Sequence, residues 1–419
     1  MITYTEKKNL LQEITQTFHL RGLDIDSART QWFESFLEKG LPGPKSEEYR
    51  FTPVTRILEK AFVATPETPP SKTAVTAALQ IIHNFETNVV AFVNGRFSRE
   101  LSKLQDAGIS ITLTQPGEQP AEGDCFSLLN QAFTPENVTI SIAANKVIAR
   151  PLAIVYYFDS HQFVFANPRW QCQVGAGSKV TVIEYSSGSG VPSYFNNKHS
   201  VLDVAEQAEV EYTMIQNGPA TEIQVNNTWV HLASSSRISC FTFSFSGELI
   251  RNNLSLTVDG EGIESHLYGL YILSKHTLAD NHTVVDHRKP RSFSNEFYKG
   301  IMDENSKGVF NGKIFVRPQA QKTNAFQSNR NIILGESATV NTKPQLEIWA
   351  DDVKCTHGCT TGQLDEEALF YLRSRGISKD LAKGMLLYAF AVEALASMKN
   401  EDVRNYVDSL ISSKLHKNF

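Results

Sequence analysis

Phe-Thr-Phe-Ser-Phe occupies positions 241–245 of the chain, and Leu-Ser-Leu-Thr-Val follows at positions 254–258. In both runs apolar and polar residues alternate, which places the apolar side chains on one face of an extended strand. The run Asp-Gly-Glu-Gly at positions 259–262 is typical of a turn. We therefore expect short β-strands joined by turns.

The same alternation recurs over residues 86–350, interrupted by turns rich in Gly, Asn, Ser and Asp. Further alternating runs are Val138/Ile140/Ile142, Val180/Val182, Val210/Tyr212/Met214 and Ile223/Val225. No helical pattern of useful length separates them, which argues against a doubly wound α/β sheet. A large sandwich, a propeller and a stacked solenoid remain. No blade repeat of about 40 residues is visible, and the irregular strand-and-turn units favour a β-helix.

A hairpin is expected to lead into this β region. The apolar run Val89–Val93 is followed by Asn94-Gly95 and then by Arg96-Phe97. Asn-Gly favours the positive φ angles of a tight hairpin turn. The sequence therefore predicts a hairpin at about 89–97 and a β core over residues 86–360.

Helical spacing marks the N-terminal region, residues 1–85. Two sets of apolar residues recur at helical spacing, namely Leu10/Leu11/Ile14/Phe18 and Ala28/Trp32/Phe33/Phe36/Leu37. Asp26 or Ser27 would cap the second helix, and Pro42-Gly43-Pro44 would end it. A second break is expected at Pro66, Pro69 and Pro70.

The C-terminal region, residues 361–419, returns to helical spacing. Asp365 is a candidate cap followed by two acidic residues, and Gly376 is a natural stop. Ser378 would cap the next helix, and a third helix is expected to hold Val403, Val407, Leu410 and Ile411. These helices carry wide apolar faces. They either fold back on the β core or present a groove to a partner.

The net charge, the apolar runs and the cysteine content argue against several classes of function. The 419 residues carry a net charge of −5, which gives no support for binding nucleic acid by bulk electrostatics. No apolar run reaches the roughly 18 residues that a membrane helix needs. The opening residues, MITYTE, show no secretory signal, and the five cysteines are few and odd in number. A reduced, cytoplasmic protein is the expectation.

Catalytic motifs are missing, but one donor cluster stands out. The sequence has no phosphate-binding loop, no dinucleotide fingerprint, no His-Glu-x-x-His and no Gly-x-Ser-x-Gly. Cys355, His357 and Cys359 recur at every second position, which on a strand sends all three to one face, about 6.5–7 Å apart. Thiolate and imidazole favour iron and zinc. Three donors on one straight strand cannot close a metal site alone, but they can supply one or two ligands to a shared site. Two packed thiols and a hydrogen-bonded histidine are the alternative.

A second polar group surrounds the strand that contains His282 and His287. His276 and Asp280 precede these residues, and Asp286 lies between them. We interpret this group as a hydrogen-bonded strand and turn rather than as a functional site.

Several motifs resemble the SufB/SufD family of iron–sulfur cluster assembly proteins, and within it the SufD branch. The resemblance is dense over about the last 110 residues and sparse but ordered before them. The motifs are Gly40-Leu41-Pro42, Glu47–Pro53, Phe92–Gly95, Gly312–Val316, Gln321–Ala325, Asn329–Leu334, Lys343–Ile348, Asp352–Gly358, Gly362–Asp365 and Leu369–Gly376. SufB proteins are typically longer and carry a Glu-His-Glu type motif where this chain has Lys-Cys-Thr-His-Gly, so the resemblance favours the SufD branch.

The resemblance implies a right-handed parallel β-helix flanked by helical regions. It also implies a non-enzymatic scaffold subunit in a complex with a SufB-like chain, paired through the β-helix, and a SufC-like ABC ATPase, docked on the C-terminal helices. The cargo would be iron or a nascent iron–sulfur cluster, transient and shared with SufB. The complex is associated with reduced flavin, for which no residue can be assigned. The sequence leaves open whether the chain forms a homodimer when SufB is absent.

Carried over residue by residue, the family's cluster-site histidine corresponds to His357 and its neighbouring cysteine to Cys355. Many relatives carry a small non-ligating residue at the position of Cys359, so its thiol is either an extra ligand or only a packed side chain. The ATPase-binding region implied by the resemblance includes Leu369, Phe370, Tyr371, Arg373, Arg375, Met385 and Tyr388.

Two other functions are weighed against this one. A purely structural partner of SufB and SufC would use Cys355 and His357 only in packing. A β-helix polysaccharide lyase or hydrolase would use clustered Asp, Arg or Lys on a solenoid face. The strongest donor cluster here consists of Cys and His, which disfavours that enzyme.

Overall fold

Two long parallel sheets stacked coil by coil form a β-solenoid, the architecture also called a β-helix. The computed structural model describes residues 9–66, 86–115, 123–189 and 193–417. Successive strands alternate between the two sheets along most of the core, which confirms the β-helix prediction.

In chain order the strands are β1 Asn88–Val93, β2 Arg96–Lys103, β3 Ile109–Thr114, β4 Asn137–Ile142, β5 Leu152–Asp159, β6 Val164–Ala166, β7 Arg169–Val174, β8 Lys179–Ser189, β9 Tyr194–Val204, β10 Glu209–Asn217, β11 Glu222–Leu232, β12 Arg237–Ser246, β13 Leu249–Val258, β14 Glu264–Leu273, β15 Leu278–His287, β16 Phe293–Met302, β17 Lys307–Val316, β18 Asn324–Ile333, β19 Thr339–Ile348 and β20 Lys354–Gly362. One sheet is extended by β8–β10–β12–β14–β16–β18–β20, and the other by β7–β9–β11–β13–β15–β17–β19.

The seven α-helices of the described residues lie before, near the start of, and after the solenoid. They are α1 Leu10–Leu20, α2 Ser27–Lys39, α3 Val54–Ala61, α4 Cys125–Phe133, α5 Glu366–Ser374, α6 Lys379–Val392 and α7 Glu401–Lys417. None of the helices in the described ranges is both long and apolar enough to cross a bilayer.

Caps fix the helix ends close to where the sequence predicts them. Asp26 caps α2 by accepting from the backbone N–H groups of Ala28 and Arg29, and α2 ends before Gly40, whose φ is +69°. Asp365 and Ser378 cap α5 and α6 in the same way, and Gly376 between them has a φ of +87°. The break predicted at Pro69 and Pro70 lies outside the described residues.

Helix α4 corrects the expectation that residues 86–350 contain no helix. Asp124 caps it by accepting from the N–H groups of Phe126 and Ser127. Almost the whole helix is buried, so its sequence lacks the polar face that normally reveals a helical period. It packs with Phe18, Phe33 and Phe165 in the cluster that joins the N-terminal helices to the outer face of the β7–β19 sheet.

The hairpin at the start of the solenoid is present. Strands β1 and β2 pair antiparallel, with Val93 opposite Arg96 across the Asn94-Gly95 turn. Both turn residues have positive φ, +49° and +86°. A Cβ on Gly95 would lie 2.7 Å from the Cβ of Ala166, so glycine is also required for close packing.

The stretch that predicts the fold places its apolar residues on two different faces. Leu254 and Leu256 point into the solenoid interior. Phe241, Phe243 and Phe245 instead form the outer face of their sheet and are covered by α6 and α7. The C-terminal helices therefore fold back on the core, which is one of the two arrangements expected from their apolar faces.

Candidate functional site

The C-terminal end of the solenoid is open. Strand β19 ends one sheet and β20 ends the other, so in the described part of the chain each has a neighbouring strand on one side only. Residues of β19 are mostly half-buried, and those of β20 are exposed apart from Cys355, which is half-buried. The last coil therefore presents unpaired backbone edges and an uncovered interior.

Cys355, His357 and Cys359 lie in this last coil, in interior-facing rows. In β18 their in-register neighbours are Ala325, Gln327 and Asn329, all of which are buried. His357 and Cys359 are exposed because no further coil covers β20. The structure thus places all three sequence-predicted donors on one face, at a surface rather than deep in packing.

The three donors do not form a complete metal site. Within the described ranges, no three or more His, Cys, Asp or Glu side chains are arranged to hold a metal ion. Alternate residues of a strand are about 6.5–7 Å apart, so two neighbouring donors in the row can share one ion while the outer two cannot. The described residues therefore do not supply a complete ligand set, and the ligand roles of Cys355, His357 and Cys359 stay predictions.

The protonation state of the Cys355 thiol affects its ability to bind a metal ion. Partial burial raises the pKa of its thiol above the usual value. Iron and zinc bind the thiolate, so binding at Cys355 would release a proton to solvent or to a partner group.

Two buried residues behind His357 were not found from the sequence. Gln327 is in register with His357, and Glu296 is in register with Gln327. The amide Nε2 of Gln327 donates to Oε2 of Glu296 at 3.0 Å, and the Thr283 hydroxyl donates to the same oxygen at 2.7 Å. Burial raises the pKa of Glu296 to about 7. The signal that would have found these residues is their spacing of about 30 residues per coil, with Gln327 lying 31 residues after Glu296.

The predicted partner-binding residues lie on α5 and α6, except Arg375, which is the C-cap residue of α5. Helix α5 has no buried residue, and Phe370 and Tyr371 on it are 73% and 57% exposed. Arg375 lies over the Tyr371 ring at 5.3 Å and donates to its hydroxyl, Arg373 is exposed, and Leu369 is half-buried. Such exposure of large apolar side chains on one helix is typical of a docking surface.

A groove continues this surface between α6 and α7. It has a volume of about 350 Å³ and is lined by Asp380, Leu381, Gly384, Met385, Tyr388, Ser412 and Leu415. Met385 is 45% exposed, whereas Tyr388 is half-buried and donates its hydroxyl proton to Asp408 at 2.6 Å. The structure therefore brings Met385 and Tyr388 together in one groove. Four of the other five predicted residues lie on α5, and Arg375 is the residue directly after it.

The second polar group found in the sequence is structural. His282 contacts Glu48 at 3.3 Å and Asp280 at 3.0 Å, and Asp280 also pairs with Arg251. His287 bonds Ser294 at 2.9 Å in the interior. The contact with Glu48 ties the segment before α3 to the solenoid, and the other contacts lie within the solenoid, as expected for a hydrogen-bonded strand.

Comparisons with known proteins agree with this architecture. The family model described as the SUF system FeS cluster assembly SufBD core domain matches residues 156–390, and the SufBD protein N-terminal region matches residues 3–115. The iron–sulfur cluster assembly protein SufD of Escherichia coli is 29% identical, covering 97% of each chain. Iron–sulfur cluster assembly SufBD family proteins of Synechocystis and Mycobacterium leprae are 30% and 26% identical, covering 85% and 90% of this chain and 83% and 91% of theirs.

Proposed function

Because the chain belongs to the SufBD family of the SUF iron–sulfur cluster assembly system and is a homologue of SufD, we propose that it is a non-catalytic scaffold subunit of a cluster assembly complex. The observation that carries this proposal is the position of His357. An exposed imidazole beside a thiol, at the uncovered end of a rigid solenoid, suits a ligand set completed by a second chain.

A SufB-like chain is the proposed partner at this end. The free edges of β19 and β20 offer rows of backbone N–H and C=O groups, which readily pair with a strand of another chain. Val340 and Leu346 of β19 pack against the interior core but are only half-buried. A stacked partner coil would cover these side chains and face the Cys355–Cys359 row.

The proposed cargo is iron or a nascent iron–sulfur cluster. Cys355 and His357, two positions apart on one strand, would supply two donors, and SufB would supply the others. Cys359 extends the row by one more donor. We assign no catalytic residue to the chain, and the reduced flavin implied by the resemblance stays a prediction without assigned residues.

A SufC-like ABC ATPase is the proposed partner of the C-terminal helices. Phe370 and Tyr371 on α5, together with the α6–α7 groove, would form the docking surface. Helix α6 is anchored to the solenoid, because the Lys299 ammonium of β16 pairs with Glu393 and donates to the carbonyl of Phe390 at 2.8 Å. When ATP brings two bound ATPase subunits together, the C-terminal helices would therefore pull on the solenoid and strain its interface with the SufB-like chain.

Co-expression with a SufB-like chain and a SufC-like ATPase tests the proposal. We expect all three chains to purify together and the complex to show the visible absorbance of a reconstituted cluster. Failure of the folded chain to associate with either partner would contradict it. A purely structural subunit would also form the complex, and is distinguished by unchanged cluster formation when both Cys355 and His357 are replaced by alanine.

A further inference from the structure

The three candidate donors of β20 have in-register neighbours in β18 that differ in whether they can accept a hydrogen bond. Ala325, behind Cys355, has no polar side-chain atom. Asn329, behind Cys359, is fully engaged: its Nδ2 donates to Tyr271 and Tyr298, and its Oδ1 accepts from Asn331. Gln327, behind His357, has an Oε1 with no hydrogen-bond partner among the described residues. Of these three neighbours in β18, Gln327 alone therefore offers a free acceptor, and it lies next to the donor that carries an N–H group.

The amide of Gln327 is held in one orientation. Its Nε2 donates to Oε2 of Glu296, an oxygen that Thr283 also bonds. Gly312 on β17 leaves the space for this amide, because a Cβ there would lie 1.9 Å from Nε2. Because Nε2 of Gln327 faces Glu296, Oε1 is the amide atom that is free to accept a hydrogen bond from another donor. Gln327 is only 3% exposed, so bulk water is a poor substitute for that donor.

We propose that Gln327 is a positioning residue for His357: its Oε1 accepts the N–H of the ring nitrogen that does not bind metal, and Glu296 fixes the amide for this purpose. The inference rests on the proposed function, in which His357 is a ligand. Neighbouring parallel strands are about 4.8 Å apart, so in-register side chains on one face lie within reach of each other. A ligating histidine usually donates its second N–H to such an acceptor, which fixes the tautomer and makes the ring a better ligand.

The arrangement explains why an exposed imidazole can serve as a defined ligand. On an edge strand without a supporting contact, the ring would rotate freely and either nitrogen could face the ion. A bond to Gln327 leaves one nitrogen lone pair directed away from the interior, toward the partner side of the open end. Cys355 and Cys359 need no such acceptor, because a bound thiolate has no proton to donate.

Cobalt(II) titration of the full chain tests this inference, with the d–d and thiolate-to-cobalt absorbance as the signal. We expect Gln327→Leu to weaken binding about 10- to 100-fold and to alter the d–d bands, as loss of such a supporting contact generally does. Gly312→Ala should weaken binding as well, because it displaces the amide without removing it. Gln345→Leu is the matched control: Gln345 of β19 has an unpaired Oε1 among the described residues but faces no candidate ligand, and its loss should leave binding unchanged.

The exchange Glu296→Gln with Gln327→Glu separates positioning from simple packing. The double variant keeps one carboxyl and one amide in the pair and still offers an oxygen to His357, so we expect it to recover binding. Weak binding by a folded double variant would overturn the inference, as would wild-type binding by Gln327→Leu when His357→Ala binds poorly. Cobalt binding that is insensitive to His357→Ala would instead contradict the ligand role itself, and with it the proposed function.

Discussion

Arg251 and Asp280 form an ion pair in which the two side chains are 3% and 0% exposed. The pair lies between β13 and β15, where Arg251 also donates to the carbonyl of Glu48 at 2.8 Å and Thr52 donates to Asp280. The nearby guanidinium holds the pKa of Asp280 below its usual value despite complete burial. This pair is therefore one of the contacts that hold the N-terminal region against the solenoid.

Breaking this pair is expected to destabilise the fold strongly. Asp280→Leu leaves the Arg251 guanidinium buried without a counter-charge, and we expect the free energy of unfolding in urea to fall by about 3–5 kcal/mol. Adding Arg251→Met should recover much of the loss, since no isolated charge remains. A single variant as stable as the wild type would show that the segment around Thr52 is not held by this pair.

The contribution of Glu222 to stability is expected to fall as the pH rises toward 7. Glu222 is completely buried, and burial raises the pKa of its carboxyl from 4.5 to about 7. Between these two pH values the folded chain keeps a proton that the unfolded chain releases, so the contribution of Glu222 to stability is lost as the pH rises. We expect Glu222→Gln to match the wild type near pH 4.5 and to exceed it by about 3 kcal/mol above pH 7.

Chemical unfolding at several pH values checks this prediction. Glu209→Gln is the control, because Lys399 lowers the pKa of Glu209 and its contribution changes only below pH 4.5. An advantage of Glu222→Gln that is equal at all pH values would contradict the titration of Glu222.

Two of the five cysteines are expected to react with a thiol reagent in the native chain. Cys359 is exposed and Cys355 is half-buried, whereas Cys125, Cys172 and Cys240 are buried. Burial also raises the pKa of these three thiols, to about 12 for Cys172, which leaves little thiolate to react. Mass spectrometry after brief alkylation should find Cys359 modified first and Cys355 more slowly. Rapid labelling of Cys172 or Cys240 would contradict the packed interior.

The exposed face of α5 is expected to matter for binding and not for folding. Phe370→Asp replaces a side chain that is 73% exposed, so the free energy of unfolding should change by less than about 0.5 kcal/mol. Affinity for the ATPase, measured by calorimetry, should fall at least about tenfold if Phe370 is a central contact. Val147→Asp, at a position that is 72% exposed but distant in sequence, is the matched control. Equal ATPase affinity for all three proteins would exclude Phe370 from the docking surface.

The terminal helices could be predicted because their signals are local. Each cap accepts from backbone N–H groups two or three residues further along the chain, as Asp26, Asp365 and Ser378 do. The positive φ of Gly376 ends α5 in the same local way. Helix α4 was missed for the opposite reason. Helix α4 is buried by contacts with α2 and β9, which are distant in sequence. Because almost all of its sides are buried, its sequence lacks the polar face that marks most helices.

Strands could be predicted, but not the face that each one buries. Alternation at Phe241–Phe245 and at Leu254–Val258 looks the same in the sequence, yet the first set packs under the C-terminal helices and the second fills the interior. Both faces of β12, which contains Phe241–Phe245, are covered, so alternation there does not indicate a solvent-exposed face. The stacking of Glu296, Gln327 and His357 was hidden because it depends on the length of each coil, which the irregular turns obscure.

Cluster assembly by a complex that contains His357→Ala tests the central claim most directly. The complex should be purified with its SufB-like and SufC-like partners, supplied anaerobically with iron and sulfide, and followed by its visible absorbance. We predict that the variant binds both partners normally and yields only a small fraction of the wild-type cluster, whereas Thr356→Ala, which alters the adjacent exposed position, yields as much as the wild type. A wild-type yield from an intact complex with His357→Ala would contradict the claim.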